Sequence, residues 1–93
     1  MKDEKNIRAT CNEICEYIDK EVQPGDTVRL SLGRCYIPGK VITNQQGILK
    51  IGLNSDTIKG LSCIDIQDLK EYIVELEHEC DNGKILIIEA ENE

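Results

Sequence analysis

The stretch from Thr27 to Leu53, TVRLSLGRCYIPGKVITNQQGILKIGL, decides the fold of this chain. Its first segment alternates apolar with polar side chains, and an alternation of period two is typical of a half-buried β-strand. The same alternation returns near the end of the stretch. The apolar members of the two segments are Val28, Leu30, Leu32, Leu49, Ile51 and Leu53. A β-rich fold follows from this pattern.

Turn signals divide this stretch and the residues after it into four predicted strands. After the turn at Gly33-Arg34, a second strand runs from Cys35 to Thr43, interrupted at Pro38-Gly39, where a bulge or an edge position would absorb the missing N–H. The third strand covers residues 49–53, and the fourth covers residues 57–66.

The residues before this stretch predict one amphipathic helix, from Ile7 to Val22. Its apolar residues follow one stripe of a 3.6-residue period, namely Ile7, Cys11, Ile14, Cys15, Ile18 and Val22. The helix is expected to end before Pro24-Gly25-Asp26, because proline and glycine favour a turn there.

The C-terminal third predicts a hairpin. Residues 65–70 carry a short helical signal, and strand character resumes over residues 72–80. Asn82-Gly83 is the preferred pair for a type I′ turn, so a last strand is expected over residues 84–89.

These elements predict a single α+β domain over residues 1–93. Ninety-three residues suffice for one hydrophobic core and not for two. An N-terminal helix, residues 7–22, would precede a small, mostly antiparallel β-barrel, residues 27–89, that ends in a C-terminal hairpin. Short strands joined by tight turns are typical of small barrels and sandwiches.

Composition and cysteine usage predict a cytoplasmic protein. No apolar run approaches the roughly 18 residues needed to span a bilayer, and the start Met1-Lys2-Asp3-Glu4 does not resemble a signal peptide. Five cysteines are an odd number without the spacing of a secreted disulfide framework. We therefore expect free thiols and no membrane contact.

Charge is distributed unevenly along the chain, whose formal net charge is −7. From Asp65 to Glu93 there are ten acidic residues against Lys70 and Lys84. Between residues 27 and 60 there are five basic residues and one acidic residue, Asp56. Nucleic acid is disfavoured as a partner, because a polyanion attracted to the basic segment would be repelled by the acidic one.

The order of strands and two short motifs resemble known small barrels. Four strands, a helical turn and a fifth strand over residues 27–78 are the order of an SH3-like barrel. Val28 to Arg34, followed by Gly39-Lys40-Val41, is similar to the first motif of the Sm-like RNA-binding family, and Ile58-Lys59-Gly60 looks like its second. The resemblance implies RNA binding at a basic barrel face, with four candidate residues: Arg29, Arg34, Lys40 and Lys59.

The chain as a whole also resembles a small uncharacterised family of methanogenic archaea. The features that carry the resemblance are the overall length, the helix followed by Pro24-Gly25-Asp26, and the acidic C-terminal hairpin. The resemblance implies a cytoplasmic archaeal protein and supplies no activity.

Two groups of residues could carry cysteine or histidine chemistry. Cys11 and Cys15 are four apart on the predicted helix and could ligate one metal, although burial on its apolar stripe explains both thiols. His78 shares a strand face with Cys80, but a nucleophilic pair also needs hydrogen-bond contact and a third residue to orient the imidazole. A core histidine is the favoured interpretation.

An acidic row lies on the predicted strand before the hairpin turn. A period of two places Glu75, Glu77 and Glu79 on one face, and Asp81 follows at the turn. Their oxygen atoms could bind Ca²⁺ or Mg²⁺ weakly, and no other cofactor is expected. A row of like charges is also a common solvated edge that blocks aggregation between strands.

The sequence favours a noncatalytic protein-interaction or assembly module over an enzyme, because no titratable pair or nucleophile is placed in a recognisable cleft. The alternative is a direct ligand binder, with either a divalent cation at the acidic hairpin or RNA at the basic barrel face. An unidentified protein partner is expected, and the chain is expected to be a monomer or a small homo-oligomer.

Overall fold

The computed structural model describes residues 4–54, 59–80 and 82–91 and shows a mostly β chain with two short helices. The elements in chain order are β1 (Glu4–Ala9), α1 (Cys11–Glu21), β2 (Thr27–Leu32), β3 (Cys35–Gln45), β4 (Ile48–Asn54), β5 (Lys59–Asp65), α2 (Ile66–Leu69), β6 (Glu75–Glu79) and β7 (Ile85–Ala90).

The described strands form one seven-stranded mixed sheet in the order β1-β7-β6-β2-β3-β4-β5. β1 pairs with β7 in parallel, and the other neighbouring strands pair antiparallel. A small β-rich fold agrees with the prediction, whereas the predicted SH3-like barrel is not confirmed. Within the described strands the sheet has two edges, β1 and β5.

The N-terminal segment differs from the prediction of a helix over residues 7–22. Ile7 lies in β1 opposite Ile88 of β7, and the helix begins only at Cys11. Thr10 and Glu13 form a capping box: the Glu13 N–H donates to Thr10 Oγ1 at 3.2 Å, and the Thr10 N–H donates to Glu13 Oε1 at 3.0 Å. The cap sets the helix start, and parallel pairing with β7 makes the preceding residues a strand.

The core lies between α1 and one face of the sheet. The helix buries Ile14, Cys15 and Ile18 against it. Asn44 of β3 ties the end of the helix to the sheet, because its Nδ2 donates to the backbone oxygens of Ile18 at 2.7 Å and of Val22 at 2.8 Å. The strands and α2 supply most of the remaining core: Val28, Leu30, Val41, Leu49, Ile51, Ile66, Leu69, Leu76 and Ile88.

β3 runs through the predicted interruption at Pro38-Gly39. Its pairing with β4 starts only at Lys40, and the register shift lies after Val41. A Cβ on Gly39 would overlap the side chain of Ile51 and the backbone oxygen of Gly52. Glycine is therefore required where β3 and β4 approach closely.

The predicted C-terminal hairpin forms, with a different turn. β6 and β7 pair antiparallel. The Cys80 N–H donates to Lys84 O at 2.9 Å, and the Gly83 N–H donates to Cys80 O at 2.9 Å. Three residues connect Cys80 to Lys84, rather than the two of the predicted type I′ turn. Gly83 adopts the left-handed conformation, with φ 88°. Among the helices described, neither is long and apolar enough to span a bilayer.

Candidate functional site

Two polar side chains are buried within the described core, those of Asp26 and His78. Asp26 ends the turn between α1 and β2, and His78 lies on β6. The carboxylate Oδ2 of Asp26 lies 2.7 Å from Nε2 of His78. Buried polar groups cost free energy unless they are paired, so this contact partners both groups.

Tyr17 of α1 contacts the opposite ring nitrogen of His78. The phenol oxygen lies 2.6 Å from Nδ1, and the two rings meet edge to face with centroids 5.5 Å apart. Burial, followed by the charges of Cys80, Glu21 and Asp26, raises the pKa of Tyr17 to about 12. The phenol therefore stays protonated at neutral pH.

The hydrogen-bond directions in this row depend on the tautomer of His78. An ionised Asp26 carboxylate accepts from Nε2–H, and a neutral imidazole then accepts the O–H of Tyr17 at Nδ1. The row Tyr17-His78-Asp26 is thus a satisfied hydrogen-bond chain that joins α1, β6 and the turn before β2.

The turn holds Asp26 by backbone contacts. The Gln23 N–H donates to Oδ2 of Asp26 at 3.0 Å, and the Asp26 N–H donates to Gln23 O at 3.1 Å. The Val41 N–H of β3 donates to the backbone oxygen of Asp26 at 2.8 Å. Asp26 is therefore oriented before any ligand binds.

Cys80 completes the cluster. Its Sγ lies 3.9 Å from Nε2 of His78, and one ligand atom from each of Asp26, His78 and Cys80 falls within 4.8 Å of the others. Burial first, and then the charge of Asp26, raise the pKa of the Cys80 thiol, while Lys84 acts to lower it. Because Nε2 already donates to Asp26, it cannot serve as a base for this thiol. The arrangement favours ligation or structural support over nucleophilic attack.

Sequence reasoning singled out His78 and Cys80 and missed Asp26 and Tyr17. The hydrogen bonds of His78 join residues 52 and 61 positions apart. No spacing rule links residues at such separations. The available signal was an acidic residue directly after Pro24-Gly25, in a stretch whose residue types indicated only a turn.

The acidic row lies where its period predicts, on one face of β6. The register sets Glu77 opposite Arg29 of β2. The Arg29 guanidinium forms an ion pair with Glu77 and lies 3.8 Å from Glu79. Asp81, the fourth residue of the predicted cation site, lies outside the described residues.

The four predicted RNA-contacting residues are spread over the sheet. Arg29 faces the glutamates of β6, and Lys40 is exposed on β3 opposite Thr27. Arg34 lies in the turn between β2 and β3, and Lys59 begins the edge strand β5. Among these four, Arg29 lies beside the acidic row of β6.

The helical cysteines face the core. Sγ of Cys15 donates to Ile66 O at 3.4 Å, and Sγ of Cys11 lies 3.7 Å from Ile73 O. Cys15 is buried and Cys11 half-buried. Burial raises the pKa of the Cys15 thiol. These contacts favour packing over metal ligation for this pair.

Comparison with known proteins supports the archaeal resemblance. A family model described as "Uncharacterized protein conserved in archaea (DUF2097)" matches residues 5–89. No curated protein and no solved structure matches the sequence. The predicted resemblance to an uncharacterised archaeal family is confirmed, and the description attaches no activity to it.

Proposed function

The chain belongs to this archaeal family, and we propose that it is a noncatalytic assembly module in which two copies pair along the edge strand β5. A strand edge exposes backbone N–H and C=O groups that can pair with another chain. One observation carries the proposal: β5 ends the sheet and presents Leu61 with 64% of its surface exposed.

The face of the sheet beside this edge carries exposed apolar side chains. The register aligns Lys40, Gly52 and Leu61 in a row across three strands. Gly52 has no side chain, and the side chain of Ile42 lies over it. A Cβ added at position 52 would be 3.2 Å from Ile42 Cδ1. Ile42 and Leu61 are both exposed large apolar side chains. Burial of such a patch favours association.

β5 is self-complementary when two copies run antiparallel. With a two-fold axis at Ser62, Leu61 of one copy lies opposite Cys63 of the other. Position 59 then lies opposite position 65 at both ends, so this register spans the whole strand. A two-fold interface of this kind uses the same surface on both subunits.

These features support a second copy over an unrelated partner. The described part of β5 contains no proline, and the register shift of the sheet lies between β3 and β4 rather than at this edge. Native edges that avoid pairing often carry such devices. Free cysteine thiols support a reducing, cytoplasmic setting for the assembly.

Native mass as a function of concentration tests the proposal. Light scattering of the purified chain should give a dimer that dissociates on dilution, and Leu61→Lys should shift it to monomer by placing charge in the interface. Tyr72→Lys is the matched control, because Tyr72 is 60% exposed and lies outside β5, between α2 and β6. It should leave the mass unchanged.

Three results would overturn the proposal. The first is a monomer at all concentrations, and the second is a dimer that Leu61→Lys does not weaken. The third is a ring-sized particle with absorbance at 260 nm from nucleic acid, which would instead support the assembly implied by the Sm-like resemblance.

A further inference from the structure

Three side chains of types that ligate transition metals converge where the turn before β2 meets the end of β6. We propose that Asp26, His78 and Cys80 form a binding site for a zinc ion. The site is separate from the edge strand β5 and does not depend on the proposed assembly. It also differs from the predicted Ca²⁺ or Mg²⁺ site in its residues and in its ligand chemistry.

The donor atoms match zinc rather than the alkaline-earth ions. Calcium and magnesium prefer oxygen ligands, whereas zinc accepts thiolate, imidazole and carboxylate together. A nitrogen and a sulfur bound to one tetrahedral zinc lie about 3.6 Å apart, as follows from ordinary bond lengths. Sγ of Cys80 lies 3.9 Å from Nε2 of His78, close to that separation.

The Asp26 carboxylate needs a small movement to join such a site. Its Oδ2 lies 2.7 Å from Nε2, whereas two ligand atoms on tetrahedral zinc stand about 3.3 Å apart. The movement replaces one hydrogen bond by two metal bonds. The movement is a rotation of the carboxylate, which also lengthens its contact with the Gln23 N–H, while the Asp26 backbone stays held by Val41 of β3.

The charges balance in a buried setting. Asp26 carboxylate and Cys80 thiolate contribute two negative charges, and a neutral His78 contributes none. A divalent cation therefore gives a neutral cluster. Neutrality matters because Asp26 and His78 are buried, and an uncompensated charge at that depth is costly.

Tyr17 is the positioning residue of the site. A histidine that ligates zinc through one nitrogen usually donates its other N–H to a fixed acceptor, and this orients the ring. Tyr17 oxygen, 2.6 Å from Nδ1, can take that role. On binding, the His78 proton moves from Nε2 to Nδ1, so Tyr17 changes from donor to acceptor.

Zinc can approach from the side of Cys80. This half-buried residue lines a surface cavity of about 380 Å³, together with Lys5, Lys84 and Leu86. As the zinc–sulfur bond forms, the thiol proton leaves to solvent. With three protein ligands, the fourth tetrahedral position is open to water.

Cobalt titration of the purified, metal-free chain tests the proposal. Co²⁺ occupies zinc sites with the same ligands, and a thiolate–cobalt bond gives a charge-transfer absorption. We expect this band to saturate at one Co²⁺ per chain, with one proton released, and to disappear when Zn²⁺ is added.

Variants then assign the ligands. Cys80→Ser should abolish the charge-transfer band, and Asp26→Asn should weaken cobalt binding about 100-fold while the band is retained at saturation. Tyr17→Phe should weaken binding about 10- to 100-fold, as loss of an outer-shell partner does, without removing the band. Circular dichroism checks that each variant is folded.

Matched cysteine variants serve as controls. Cys63→Ser removes an exposed thiol, and Cys11→Ser removes one of the helical pair. Both should bind cobalt as the parent chain does. The proposal fails if the parent chain shows no thiolate–cobalt band, if the band survives Cys80→Ser, or if Cys11→Ser removes it.

Discussion

The phenol oxygen of Tyr17 lies 2.6 Å from Nδ1 of His78, so one hydrogen bond joins α1 to a strand 61 residues later in the chain. The far side of the same ring contacts Asp26 at 2.7 Å. Among the described residues, this polar row crosses a core of aliphatic side chains and Cys15. The position of His78 is therefore defined by directional bonds as well as by packing.

Loss of the Tyr17 hydroxyl should destabilise the fold. In Tyr17→Phe the buried Nδ1 loses its donor, and we expect the free energy of unfolding to fall by about 1–3 kcal/mol. Urea denaturation of the metal-free chain measures it. Tyr72→Phe is the control, since Tyr72 is mostly exposed. Equal stabilities of the two variants would show that the hydrogen bond contributes nothing.

The capping box should contribute measurably to the stability of α1. Thr10→Ala removes the acceptor for the Glu13 N–H, and we expect a loss of about 1 kcal/mol. Thr10→Ser keeps an oxygen at the same place and should retain most of the stability. A Thr10→Ala chain as stable as the parent would mean that pairing of β1 with β7 alone sets the start of the helix.

Gly39 should not tolerate a larger residue. Gly39→Ala places a methyl group against Ile51 and the backbone of Gly52, and overpacking of this kind costs about 1–3 kcal/mol. Gly60→Ala is the matched control, because nothing lies within 4 Å of a Cβ at that strand position. Thermal melting of both variants distinguishes a local steric demand from a general intolerance of alanine.

Thiol reactivity should follow burial. Burial raises the pKa of Cys15 from its ordinary value of 9.0, so the folded state favours the neutral thiol. The resulting stability is present below about pH 9 and is lost as pH rises through the folded pKa. Alkylation followed by mass spectrometry should modify Cys35 and Cys63 first and Cys15 last. Early modification of Cys15 in the folded chain would contradict its burial.

A cross-link can test the register of the proposed dimer. In a Cys35→Ser background, Leu61→Cys should form an intermolecular disulfide with Cys63 under mild oxidation, because directly opposite residues lie within disulfide range. Adding Cys63→Ser should abolish it. Cross-linking through Cys63 without Leu61→Cys would indicate a different pairing.

Local pattern predicted six of the seven described strands and much of the hairpin, because alternation and turn residues act over a few positions. The apolar stripe from Ile7 suggested a helix start before Thr10, where the capping box places it in the structure. Ile7 continues the helical period in the sequence, yet it pairs with β7 in space. Parallel pairing between the two ends of a chain cannot be read from local pattern.

The candidate site depended still more on tertiary structure. The sequence by itself determined that the chain is β-rich, that Glu75, Glu77 and Glu79 share a face, and that the archaeal family resemblance holds. Only the tertiary structure brought Arg29 onto that face and Asp26 and Tyr17 onto His78. The physical reason is that side-chain periodicity acts within one element, whereas these contacts depend on which strands become neighbours and how the helix packs across them.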